Sequence, residues 1–183
     1  MIKIVQKNST ILRTKATPVK VGEIRSSKIR KIIVDMKKAL DSQEDGVAIA
    51  APQISVPLRI FVVSRRVFDI LKDTKSDPSS KKNEYKDLVF INPEIVRFSK
   101  EREFVEEGCL SVRWLYGKVH RAKKAKIVAY NEHGIKFELG ASGLLAQIFQ
   151  HECDHLNGIL FIDTAKDVEN IPPDVQKTRS VNK

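Results

Sequence analysis

Near the C-terminal end the chain reads His151-Glu152-Cys153-Asp154-His155, two imidazoles four positions apart with a carboxylate directly beside the first. On a helix, residues i and i+4 share a face, so both rings can reach one divalent cation. The glutamate is then placed to take a proton from a water that the cation activates. Two of the four histidines in the chain are used here. Because HExxH also arises by chance, the surrounding residues must decide whether it does chemistry.

The apolar residues from 141 to 149 recur at helical spacing, which predicts one helix over about 141 to 156 with Gly158 at its C-cap. At about 100° per residue, Ala141, Leu144, Leu145, Ile148, Phe149 and Leu156 form its apolar arc, and His151, Glu152 and His155 project into that arc. Gln147, Gln150, Cys153 and Asp154 fall on the other side, where solvent or a polar neighbour is expected. Two imidazoles and a carboxylate aimed at a core are costly unless something pairs with them, and a metal ion is the commonest remedy.

A zinc-like or iron-like site needs a third protein ligand and an open position. Downstream the only candidate is Glu169, in polar surroundings. Cys153 leaves the helix about 200° from the histidine pair. Cys109, in Glu106-Glu107-Gly108-Cys109-Leu110-Ser111, is the better choice: a thiolate is a strong ligand, and a strand could carry it over the helix face. A free cysteine is nevertheless more often a small buried hydrophobe. Earlier, Gly46-Val47-Ala48-Ile49-Ala50-Ala51-Pro52-Gln53 is a run of small residues without period, suited to close approach by another backbone or a ligand. Gln53 is its only side chain with hydrogen-bonding capacity.

Taken in order, these three segments resemble the three motifs of peptide deformylases, and the likeness extends over about 8 to 165, including Ile11-Leu12-Arg13 through Pro18-Val19. The resemblance implies an enzyme that removes the N-formyl group from N-formylmethionyl termini of newly made polypeptides and releases formate. It implies Cys109, His151 and His155 as metal ligands, Glu152 as the acid–base residue, and Gln53 with the backbone N–H of Leu110 as donors to the formyl oxygen. Val47, Ala48, Gly108, Leu144 and Ile148 would line the substrate groove. The donor set alone suits Zn²⁺. The resemblance implies Fe²⁺, replaceable by Ni²⁺, Co²⁺ or Zn²⁺. The chain departs from the family pattern at Ala48, where glycine is usual, and after Ser111, where it reads Val112-Arg113-Trp114 and a Val-Pro-Gly run is common; Ala48, Arg113 and Trp114 lie beside the expected groove.

The rest of the chain must hold these segments together. Its 183 residues are 42% hydrophobic and 31% charged, ordinary for a single domain spanning 1–183, with a core over about 8–165 and a peripheral tail over 166–183. No apolar run is long enough to span a membrane, the first residues carry no export signal, and two cysteines fit a reducing compartment, so the cytoplasm is expected. The net charge of +10 is concentrated in residues 1–38, where eleven Lys or Arg face only Glu23 and Asp35, with a second basic stretch from 113 to 126. A solvated basic face explains this, and so does a contact surface for ribosomal RNA; no RNP-type motif supports sequence reading. Periodicity predicts a helix from 23 to 40, strands at 59–64 and 87–92, an interruption at Pro93 before 94–98, and a hairpin at 125–131 and 135–139. Residues 72–84 read as a polar surface loop. The expected fold is α+β: small mixed or antiparallel sheets around a central HExxH helix, with the N-terminal helix packed outside. Two other readings stand beside the deformylase one, a zincin-type endopeptidase and a catalytically weak RNA- or ribosome-binding relative.

Overall fold

A computed structural model describes residues 2–73 and 85–174. Strands β1 (Ala48–Ala50), β2 (Ile60–Val63), β3 (Leu88–Phe98), β6 (Lys124–Tyr130) and β7 (Lys136–Ser142) form a five-stranded antiparallel sheet in the order β1-β2-β3-β6-β7. A second sheet of β4 (Arg102–Gly108), β5 (Leu115–Ala122) and β8 (Lys166–Asn170) has the order β4-β5-β8. The helices are α1 (Ser27–Asp41), α2 (Arg66–Asp73) and α3 (Gly143–Leu156). This is the single-domain α+β arrangement expected, with α3 at its centre.

The period of two along the inner strands decides which helix each face receives. On β2, Ile60 and Val62 join α1 residues Ile29, Ile33, Met36 and Leu40 in one core, while Phe61 and Val63 turn to the opposite core with Ile148, Phe149 and Leu156 of α3. Because both faces are covered, β2 reads in sequence as an unbroken apolar run rather than an alternating one. Helix α1 begins at Ser26, whose hydroxyl accepts from the N–H of Ile29 at 3.3 Å. A third apolar cluster, Leu12, Val112, Val119, Leu160 and Phe161, packs under the smaller sheet.

Helix α3 is reached directly from β7. Ala141 and Ser142 still belong to the strand, so the helix starts two residues later than its periodicity suggests, and Gly143 makes the turn at φ 56°. At the other end Gly158 adopts φ 78°, and a Cβ there would stand 2.7 Å from the carbonyl oxygen of Arg13. That glycine therefore serves as the helix stop and as the place where the N-terminal segment crosses.

Four expectations need correction. Pro93 does not interrupt a strand: β3 runs through it, with a register shift at Asn92 and Pro93 that leaves no ladder donor missing. Asn92 sits there at φ 51° and exchanges two hydrogen bonds with the backbone of Val19. The polar stretch from 72 begins inside α2, and 74–84 lie outside the described residues. The tail carries β8, an edge strand exposed throughout and therefore without a hydrophobic pattern. Finally, Cys153 packs in the apolar core instead of meeting solvent or a polar neighbour, whereas Gln150, though buried, finds its polar neighbour in the backbone of Ala122, whose N–H and carbonyl it bridges at 2.9 Å each. A helix packed against β1, β3, β5, β6 and β7 keeps little solvent-facing surface, and Cys153 falls where it has none.

Candidate active site

The two imidazoles of α3 face the start of the loop that follows β4. Sγ of Cys109, with one ring nitrogen each of His151 and His155, lies in a group whose atoms are all within 4.8 Å of one another, and Sγ is 3.1 Å from Nε2 of His155. Glu169 is in β8 and is not part of this group. A thiolate and two imidazoles converging from a strand end and one helix face are a donor set that first-row divalent ions accept. Burial opposes ionisation of Cys109, but the charge of His155 and hydrogen bonds with both histidines outweigh it and bring the thiol to about 5.

A second layer of charge fixes the rings. Oε2 of Glu107 lies 2.9 Å from Nδ1 of His151, which directs the other ring nitrogen at the ligand group. Glu107 is itself gripped by Arg121 through Nε to Oε1 at 2.7 Å and Nη2 to Oε2 at 3.0 Å, and Nη1 of Arg121 reaches Asp154 at 2.6 Å. Glu107 is 3% exposed and Arg121 8%. Burial works against the charged Glu107 carboxylate, yet His151 and Arg121 hold it at about 2. Glu107 was legible only as part of the Cys109 segment, and Arg121 was hidden in a basic stretch that reads as surface. The available signal was the need for each ligating imidazole to have a partner for its outer nitrogen.

Glu152 is 4% exposed, with Oε2 lacking any hydrogen-bond partner among the described residues, as does Nδ1 of His155. Desolvation is the main cause that lifts its carboxyl to about 7, against the opposing pull of His151 and His155. Gln53 is held from three sides. Its Oε1 accepts from the N–H of Ala50 at 2.7 Å, and its Nε2 is 3.1 Å from the Ser111 hydroxyl and 3.6 Å from Sγ of Cys109. Leu110 follows Cys109 directly, and its carbonyl accepts from Nε2 of Gln6 at 3.1 Å. The N–H of Val5 donates to the carbonyl of Gln53 at 2.9 Å, so the irregular N-terminal segment braces Gln53 and Leu110 together.

A cavity of about 320 Å³ opens onto this group. Val47, Ala48, Gln53, Gly108, Cys109, Leu110, Leu144, Ile148, His151 and Glu152 all line it, so the sequence-predicted residues meet at one site apart from His155, which lies behind the wall at 1% exposure. Tyr116 packs against Gly108, where a Cβ would stand 2.6 Å from its ring. Cys153, by contrast, faces away into the apolar core, and burial pushes its thiol up to about 12.

A small α+β domain with a thiolate, two imidazoles and a buried carboxyl at the end of one cavity defines a metal-dependent hydrolase site. The chain matches the polypeptide deformylase family over residues 1–170 and belongs to it. Peptide deformylase 2 of Clostridium acetobutylicum is 43% identical over 153 residues, covering 84% of this chain and 87% of that one. The crystal structure of an actinonin-bound class I type b peptide deformylase from Acinetobacter baumannii superposes with a TM-score of 0.76 at 33% identity, covering 91% of this chain and 99% of that one. A Met-Ala-Ser-bound structure of the same enzyme gives a TM-score of 0.74 at 34% identity, covering 89% and 98%.

Proposed function

We propose that this chain removes the N-formyl group from N-formylmethionyl peptides, with Cys109, His151 and His155 holding a divalent ion and Glu152 moving the proton. The observation that carries the reading is the convergence of those three ligand atoms beside a buried carboxyl at the floor of a peptide-sized cavity. It is supported by the Met-Ala-Ser peptide and the actinonin held by the Acinetobacter baumannii relatives. When bound, the ion supplies Lewis acidity toward the formyl carbonyl and lowers the pKa of a water to about 7.

The protein residues divide the remaining work. Glu152, poised at about 7, accepts the proton of the attacking water and returns it to the departing amide nitrogen, which leaves poorly while unprotonated. Gln53 Nε2 and the backbone N–H of Leu110 donate to the formyl oxygen as negative charge builds on it; one such donor is typically worth about 10²- to 10³-fold in rate. Glu107, held by Arg121, keeps His151 in the tautomer that points Nε2 inward. Val47, Leu144 and Ile148 give the methionine side chain an apolar wall, while Ala48 and Gly108 lie where its backbone passes.

Fe²⁺ is the ion we assign, with Ni²⁺, Co²⁺ or Zn²⁺ as replacements, because a soft sulfur and two imidazoles accept any of these. We place the reaction in the cytoplasm, on chains leaving the ribosome. The exposed cations Arg25, Lys28, Arg30, Lys31 and Lys38 on and before α1 provide the basic surface for a transient contact with ribosomal RNA. Among the described residues no helix is long and apolar enough to cross a membrane.

The test is formate release from formyl-Met-Ala-Ser by protein loaded anaerobically with Fe²⁺, with metal content measured on the same sample and internal peptide bonds followed by mass spectrometry. Formate release with the remaining peptide intact is expected. Internal cleavage would favour an endopeptidase, and salt-dependent ribosome binding without formate release would favour a binding role.

A further inference from the structure

An ion pair on the cavity wall takes no part in the chemistry at its floor. Arg113 and Asp45 line the same cavity as Cys109 and Glu152. The Arg113 guanidinium takes both carboxylate oxygens of Asp45, with Nη2 2.8 Å from Oδ1, and Nη2 also donates to Oε1 of Gln43 at 3.2 Å. Its Cζ lies over the Trp114 ring, 4.4 Å from the centroid. The Arg113 side chain is only 18% exposed, while that of Asp45 is 54% exposed.

The pair joins two different walls. Asp45 immediately precedes the Gly46-Val47-Ala48 wall, and its end of the chain is anchored elsewhere: Arg66 donates to the carbonyls of Gln43 at 2.5 Å and Asp41 at 3.1 Å. Arg113 belongs to the loop that carries Cys109 and Leu110. At the deep end these walls are already tied by Gln53 to Ser111. At the outer end Arg113 ties them to Asp45 and Gln43, so the bidentate geometry fixes the gap that a peptide backbone has to occupy.

We infer that Arg113 and Asp45 are positioning residues, a clasp that sets the width of the substrate groove and so governs peptide binding more than the chemical step; this rests on the deformylase reading. The ligands and Glu152 do not contact the pair through any hydrogen bond in the structure, so opening it leaves the reacting atoms in place while the groove loosens. The added width matters most for peptides that extend beyond the first residue.

Steady-state deformylation of formyl-Met-Ala-Ser by the Fe²⁺-loaded wild type, Arg113→Ala, Arg113→Lys, Asp45→Asn and the charge-exchanged Asp45→Arg/Arg113→Asp protein tests this. Breaking the pair is expected to raise KM about fivefold, with a smaller change in kcat. The lysine variant and the exchanged protein should recover part of that loss. The Kd of Met-Ala-Ser, read by calorimetry, should weaken by a similar factor, which tests the clasp without turnover. High salt should raise the wild-type KM toward that of Arg113→Ala and leave the variant unchanged. An unchanged KM and Kd in both Arg113→Ala and Asp45→Asn, or a fall in kcat alone, would overturn the clasp. A wild type that binds Met-Ala-Ser yet releases no formate would fail the deformylase reading, and the Kd series would then decide the clasp by itself.

Discussion

Replacing Arg121 with Ala removes the guanidinium that bridges Glu107 and Asp154 behind His151. Glu107 would remain nearly fully buried with one cationic partner lost, and breaking a buried pair from one side typically costs about 3–5 kcal/mol. The acid–base properties of Glu107 give an independent scale. Its fall from the ordinary 4.5 to about 2 corresponds to about 3 kcal/mol of stability, shared between His151 and Arg121. Because the folded-state value is depressed, that stability is fully present above about 4.5 and is lost as pH falls toward 2. Arg121→Ala should therefore lower Tm at pH 7 by roughly 5–10 °C in a chain of this size. It should also move the acid-unfolding midpoint upward and weaken metal retention against a chelator by about 10- to 100-fold. Thermal and acid unfolding of the metal-free protein, with chelator-driven metal release from the loaded one, measure all three. The decisive control is Glu107→Gln: in that background Arg121→Ala should cost much less, because the charge it served is gone. Equal losses in both backgrounds would refute the coupling.

Two further predictions concern the thiols and the N-terminal brace. In metal-free protein at pH 7, Cys109 should react readily with a small alkylating reagent and become protected on metal loading, while Cys153, pushed up to about 12 and packed in the core, should react only on unfolding; peptide mapping after brief alkylation separates them. Gln6→Ala removes the donor that pins the Leu110 carbonyl and should lower kcat by about 3- to 10-fold with less effect on KM, as expected for a support of the formyl-oxygen donors.

How much of this was legible in the sequence depended on how local each signal is. The α3 ligands stood out because a 3.6-residue period places His151 and His155 on one face regardless of the rest of the fold. Cys109 could be chosen over Cys153 by the same angular argument, and the apolar run at 59–64 announced the strand that became β2, though not that both its faces are covered. The Glu107–Arg121 grip could not be read this way. In the β4–β5 ladder Glu107 stands opposite Gly117, so its partner is four residues along β5 and is reached only by the length of the arginine side chain. Cys153 was misplaced because a helical wheel assumes a solvent side, and packing against both sheets puts that position in the apolar core. The Arg113–Asp45 clasp joins residues 68 apart in the chain, a contact that only the folded groove creates.

The central claim is that Glu152 moves the proton for a metal held by Cys109, His151 and His155. Glu152→Gln keeps the shape of the side chain and removes its basicity, so one preparation answers the question when bound metal and formate release are measured together. A full metal complement per chain is expected, with formate release reduced by at least about 10²-fold. A variant that retains its metal and turns over formyl-Met-Ala-Ser at the wild-type rate would contradict it.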